Sequence, residues 1–169
     1  MWTELAEVFD TQLLALADAD DRVPLLFKLS DLLAERLHDY DRAITLLLEI
    51  LELKPAYGPA LKAVSQLYAK QGKFEDLVGV SSAELDGPID SDQAIYLLEK
   101  IASLLEKELD APERAVDTYK KMLRWRSGYL PAIRALGRLF ARLERWEELI
   151  EINIEEAHRV GDQTQMVAL

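Results

Sequence analysis

The sequence predicts an all-α fold, built as a solenoid of helical hairpins. Three observations predict it. First, the chain repeats itself at an offset of 72 without a gap. Trp2 returns as Phe74 and Trp146, Asp41-Arg42-Ala43-Ile44 as Glu113-Arg114-Ala115-Val116, and Tyr57-x-Pro59-Ala60-Leu61 as Tyr129-x-Pro131-Ala132-Ile133. A fixed internal period marks a repeat architecture, in which each unit buries its apolar face only by stacking on the next. Second, apolar residues recur at spacings of three and four through almost the whole chain, the period of a helix with one buried face. Third, the interruptions are short and carry residues that stop or start helices, such as Pro55, Pro59, Gly72, Asp86-Gly87-Pro88 and Pro112.

Taken in order, residues 2–16 form half a hairpin, with Trp2, Leu5, Val8, Phe9 and Leu13 on one stripe. Asp18, Asp20 and Asp21 then suit a loop and an N-cap, where carboxylates accept the N–H groups left over at a helix start. The first full hairpin covers 23–53. Its first helix turns Leu25, Leu26, Leu29, Leu32, Leu33 and Leu37 inward, and its second Ala43, Ile44, Leu47, Leu48 and Leu51. Pro55 ends it, because proline cannot extend the hydrogen-bond ladder. The second hairpin covers 59–85, opening on Pro59 in a first-turn position where its missing N–H costs nothing. The acidic run Asp86–Asp92 aligns with Asp18–Asp20 and reads as an inter-repeat loop. Hairpins 93–126 and 130–160 repeat the first two, and 163–169 reads as the start of a further helix. Residues 2–169 thus read as a single solenoid. The hairpin turns fall at His38, Gly72, Asp110 and Glu144. Such a turn needs left-handed backbone, which Gly, Asp and His accept and for which Glu144 is the poor fit. Trp2, Phe74 and Trp146, recurring in register, read as packing anchors.

Composition narrows the function. Half of the 169 residues are apolar, enough for a continuous core, and the net charge is −11. That charge argues against a general nucleic-acid binder, whose affinity rests on basic surface, and favours a basic or neutral partner. Trp125 between Arg124 and Arg126 has the aromatic-plus-basic form that stacks on a base, but it aligns with Leu53, which points to packing between repeats. With no cysteine there is no disulfide, thiolate metal site or cysteine nucleophile. No stretch approaches the ~18 apolar residues of a membrane span. Met1–Leu5 is acidic and amphipathic, unlike a secretory signal, so the cytoplasm is the default location. His38 and His158 lie in different hairpins, as a turn residue and a surface residue. No triad, phosphate loop or metal motif accompanies them. We therefore expect no catalytic residues, no metal and no cofactor.

The hairpins carry a recurrent pattern: Leu26/Leu29/Ser30/Leu33, Leu61/Val64/Ser65/Tyr68, Leu98/Ile101/Ala102/Leu105 and Ile133/Leu136/Gly137/Phe140 in the first helices, with Ala43/Leu47/Pro55 and Ala115/Tyr119 in the second. This resembles the tetratricopeptide repeat (TPR) family, W-x2-L-G-x2-Y then A-x3-F then P over about 34 residues. Here Ser127 replaces the third proline, and Leu77 and Leu149 replace the usual alanine. The small residues Ser30, Ser65, Ala102 and Gly137 let helices cross closely. Pattern starts are spaced 35, 37 and 35, because the first and third hairpins carry one extra residue before the turn. The resemblance implies a right-handed superhelical solenoid and a non-catalytic scaffold whose concave groove takes a peptide or partner helix. It also implies that first helices line that groove. Carried over by register, the groove holds Phe27, Asp31 and Glu35, then Lys62, Gln66 and Lys70, then Glu99, Ser103 and Glu106, then Arg134, Arg138 and Arg142. The clamp lysines and asparagines of chaperone-binding members are not present as a set.

Arg134, Arg138 and Arg142 stand one helical turn apart, in a basic stretch with Lys120, Lys121, Arg124, Arg126 and Arg145. Two readings follow. Either the row recognises an acidic segment or a carboxylate, or it is neutralised by Glu99, Glu106 and Glu108 of the preceding hairpin. Neither terminus supplies a polar capping element, so we expect a piece of a longer array or end-to-end self-association. The latter gives an alternative function, structural assembly through open ends.

Overall fold

The computed structural model describes residues 1–167, with side chains as far as Val160. The described residues form nine helices and no strand: α1 (Trp2–Ala15), α2 (Ala19–Leu32), α3 (Tyr40–Leu53), α4 (Gly58–Gln71), α5 (Phe74–Leu85), α6 (Ser91–Lys107), α7 (Pro112–Trp125), α8 (Leu130–Arg142) and α9 (Trp146–Val167). α2 runs on into a π-helical turn, Leu33–Leu37. The chain divides into two compact units, 1–80 and 81–169, with the division inside α5. No described helix is long and apolar enough to cross a membrane.

In the first unit α1 packs on α2, α2 on α3 and α3 on α4; in the second α6 packs on α7, α7 on α8 and α8 on α9. Burial follows the 72-residue period. Leu26 and Leu98, Ser30 and Ala102, Leu33 and Leu105, Ala43 and Ala115, Ile50 and Met122, Ala60 and Ala132, and Val64 and Leu136 are all buried pairs. Ala43, Ala115, Ala60 and Ala132 have no exposed surface. A larger side chain at these positions would force the helices apart. Of the expected small positions, Ser30 and Ala102 lie in the core, whereas Ser65 and Gly137 are only half-buried.

Acidic side chains cap the starts of α2, α3 and α6. Asp18 accepts the Asp20 N–H at 3.0 Å, and Asp39 accepts that of Arg42 at 3.2 Å. Asp90 and Gln93 form a reciprocal capping box. All four hairpin turns are left-handed, with φ of 56° at His38, 68° at Gly72, 46° at Asp110 and 57° at Glu144. Glu144 therefore takes this conformation despite its side chain. Its flanks explain why: the Arg145 N–H closes the turn on the Phe140 carbonyl at 2.9 Å, as Lys73 closes on Tyr68 at 2.9 Å. In the first and third hairpins the closing bond spans one residue more, Asp39 to Leu33 at 3.0 Å and Ala111 to Leu105 at 2.8 Å. The extra residue is absorbed by widening the last turn, into the π-helix in the first and into a Leu109-to-Leu104 bond in the third.

Three expectations need correction. Trp2 and Trp146 are not buried anchors; both stand substantially exposed, Trp2 beneath the Arg36 guanidinium at 5.2 Å. Val8 and Leu48 are also exposed, while Ala6 and Ile50 take the buried places. α9 continues through residues 161–163, where one helix was expected to end and another to begin. Of that expected further helix, 163–169, residues 168–169 and all the side chains lie outside the described residues.

Candidate functional site

The residues expected to bind lie, in each unit, on one pair of helices, the first helices of its two hairpins. In the first unit this is α2 and α4. Phe27 and Asp31 stand on α2, Glu35 on the π-helical turn that continues it, and Lys62, Gln66 and Lys70 at four-residue spacing on α4. The Phe27 ring meets Tyr57 edge-on, with centroids 6.2 Å apart. Asp31 is exposed, yet partial burial, then repulsion from Glu35, raises its carboxyl above the ordinary value. Lys70 reaches over the Tyr40 ring at 4.5 Å. Contact with Tyr40, and more weakly the Glu35 charge, holds its ammonium above the usual lysine value. Lys62 and Gln66 stand exposed.

The second unit's face, α6 and α8, is more strongly organised. Glu99 accepts the Tyr129 hydroxyl at 2.6 Å, and Glu106 accepts that of Tyr119 at 2.6 Å. Burial, then Glu106, pushes the Tyr119 phenol well above its ordinary range. Arg134 donates to Glu156 at 2.8 Å, and Arg142 to Asp110 at 2.5 Å. Arg138 only approaches Glu106, at 4.0 Å, and is 71% exposed. The row of arginines is thus largely neutralised, but by different carboxylates from those expected. Glu106 serves Arg138 weakly, Asp110 replaces Glu108, Glu156 comes from the following helix, and Glu99 belongs to a tyrosine. Elsewhere in the basic stretch, Arg126 pairs with Asp92, Arg145 with Glu113 and Glu148, and Lys120 with Glu148.

These links recur with the repeat. Lys54–Asp20, at 2.5 Å, returns 72 residues on as Arg126–Asp92, and Lys73–Asp41, at 2.7 Å, returns as Arg145–Glu113, at 2.9 Å. Where the repeat breaks, the chemistry changes. Phe27 against Tyr57 becomes Glu99 against Tyr129, an aromatic contact exchanged for a hydrogen bond. Sequence reasoning passed over Tyr119, Tyr129 and Glu156. The Phe27-to-Glu99 exchange opposite an unchanged tyrosine was the available signal for Tyr129.

Two apolar features also reach the surface. Trp125 and its equivalent Leu53 are both exposed, so Trp125 is not covered by packing between repeats. On α9, Trp146, Ile150 and Ile154 form an exposed stripe, one residue per turn. The residue equivalent to Ile150 on α1, Ala6, is 3% exposed, whereas Ile150 is 61% exposed.

No family model and no curated protein matches the sequence. Solved structures do match the fold. The chain is similar to the crystal structure of MamA, with a TM-score of 0.53 and 12% identity over 97% of this chain and 91% of that one. It is similar to MamA of AMB-1, with a TM-score of 0.50 and 18% identity over 91% and 80%. YrrB, described as a TPR protein with an unusual peptide-binding site, matches with a TM-score of 0.48 and 16% identity over 91% and 75%. At these identities the likeness concerns the fold, an all-α TPR-like helical solenoid.

Proposed function

We propose that this chain is a protein-interaction scaffold, and that a partner peptide or helix lies along the first-helix face of a unit, the floor of a concave groove. The observation that carries this reading is Arg138. It stands highly exposed, and among the described residues its ion-pair contact is a 4.0 Å approach to Glu106, a carboxylate already held by the Tyr119 phenol. A guanidinium so placed offers its fork to a carboxylate. The partner is then a protein segment with an acidic residue or free C-terminus. Phe27, Asp31, Lys62, Gln66 and Lys70 are proposed to contact a segment on the α2–α4 face, where both signs of charge are present.

A panel of fluorescein-labelled acidic peptides with free C-termini, read by anisotropy, tests this. Arg138→Glu should weaken the bound peptide about fivefold or more, in line with a charged contact of ~1 kcal/mol or above, without change in helical circular dichroism. Unchanged affinity, or a panel in which nothing binds, defeats the reading. The α9 stripe favours a second reading, self-association through this face. Light scattering over a range of concentrations should then show reversible growth that Ile150→Lys abolishes; a strict monomer rules that reading out.

A further inference from the structure

A cavity opens on the side of α8 opposite the arginine row. Leu136 and Phe140 are set about half a helical turn round from Arg134, Arg138 and Arg142, and they floor a cavity of about 210 Å3 between α7, α8 and α9. Leu123 and Ile152 complete the floor, and Lys120, Glu148, Glu151 and Glu155 form the rim. The repeat separates floor from rim. Seventy-two residues earlier the floor positions hold Leu51, Val64, Tyr68 and Val80, apolar or aromatic like their partners, which is what packing demands. The rim positions hold Leu48, Asp76, Gly79 and Ala83. Three of the four rim positions have therefore gained a charge where the repeat has none, and the fourth has kept its carboxylate.

The charges do not cancel. Glu148 is held by Arg145 and Lys120, and both of those cations also lie over the Phe140 ring, at 5.1 and 5.5 Å. Glu151 and Glu155 enter no ion pair among the described residues. An apolar floor under two unpaired carboxylates suits a group with an aliphatic stem and a cationic head. The volume is below the ~300 Å3 where small-molecule sites begin, and is right for one side chain. We infer that this cavity receives a single arginine or lysine side chain of a protein partner, making it an interaction site distinct from the α6–α8 face and of opposite charge preference. It does not rest on the groove reading.

Nitrogen–proton NMR correlation spectra of the full chain, titrated with acetyl-Leu-Arg-Leu-amide, test it. Saturable shifts are expected at Phe140, Ile152 and Glu155. The same peptide with neutral citrulline in place of arginine should bind about three- to tenfold more weakly, as should the arginine peptide to a Glu151→Gln, Glu155→Gln chain. That is the effect of losing one or two exposed charge contacts. Both substitutions are isosteric and on the surface, so the fold is kept, as circular dichroism will show. Absence of saturable shifts, equal binding of the citrulline peptide, unchanged affinity in the double variant, or shifts confined to Glu99 and Glu106 would each overturn the proposal.

Discussion

Removing one oxygen at Tyr119 tests the organisation of the α6–α8 face. In Tyr119→Phe the ring stays in place and only the donor to Glu106 is lost. That bond is short, 2.6 Å, and its acceptor is charged. Hydrogen bonds to charged groups contribute about 1.5–3 kcal/mol. The Glu106 side chain retains 19% exposure, so water recovers part of the loss, and we expect a destabilisation of about 1–2 kcal/mol. For a chain of this size that is a fall in Tm of roughly 2–8 °C. The variant also changes the pH profile. The folded state raises the Tyr119 pKa, so its contribution is complete below the unfolded value of about 10 and is lost as pH climbs above it towards the folded value. The gap between wild type and variant should accordingly narrow above about pH 10. Urea unfolding followed by circular dichroism at pH 7 and at intervals up to pH 11 gives both quantities. Equal stability at pH 7, or a gap that widens in alkali, would refute the reasoning.

Further outcomes follow from the turns and the core. Glu144→Gly should raise stability by about 1 kcal/mol, measured by denaturant midpoint, because the residue already sits at φ 57° and glycine is free of the penalty there. Gly137→Ala should add about 0.5–1 kcal/mol, since a methyl there meets Asn153 at an ordinary 3.5 Å and glycine is a poor helix residue; a loss of stability would mean that α8 and α9 cross more tightly than the geometry indicates. Met122→Ala, at a position with no exposed surface, should cost about 2–5 kcal/mol in the same assay.

Much of the architecture was legible because repetition is a property of the chain. Any residue that buries its side chain in one block must do so in the next if the blocks stack alike, so Leu26 announced Leu98 and Ala43 announced Ala115. The turn at Asp110 was legible from His38 for the same reason. The turn at Glu144 was legible in the same way from Gly72, although local preference argued against a left-handed Glu there; the closing bonds of the hairpin hold it in that conformation. The candidate site was legible as to which residues share a face and illegible as to their bonding. Arg142 and Arg138 look alike in sequence, four residues apart on one helix. Asp110 occupies the first, and among the described residues the ion pair of the second is the 4.0 Å approach to Glu106.

The sequence by itself determined the helices, their caps and their period, because these depend on side chains within a few residues or at one fixed offset. Tertiary structure alone decided which charges are spent and which remain. Ion pairs and hydrogen bonds to carboxylates depend on distances between residues about 30 apart in the chain, as for Arg142 and Asp110 or Tyr129 and Glu99. It also decided that Trp146 and Ile150 face outward, because burial is a property of what packs alongside and not of the residue.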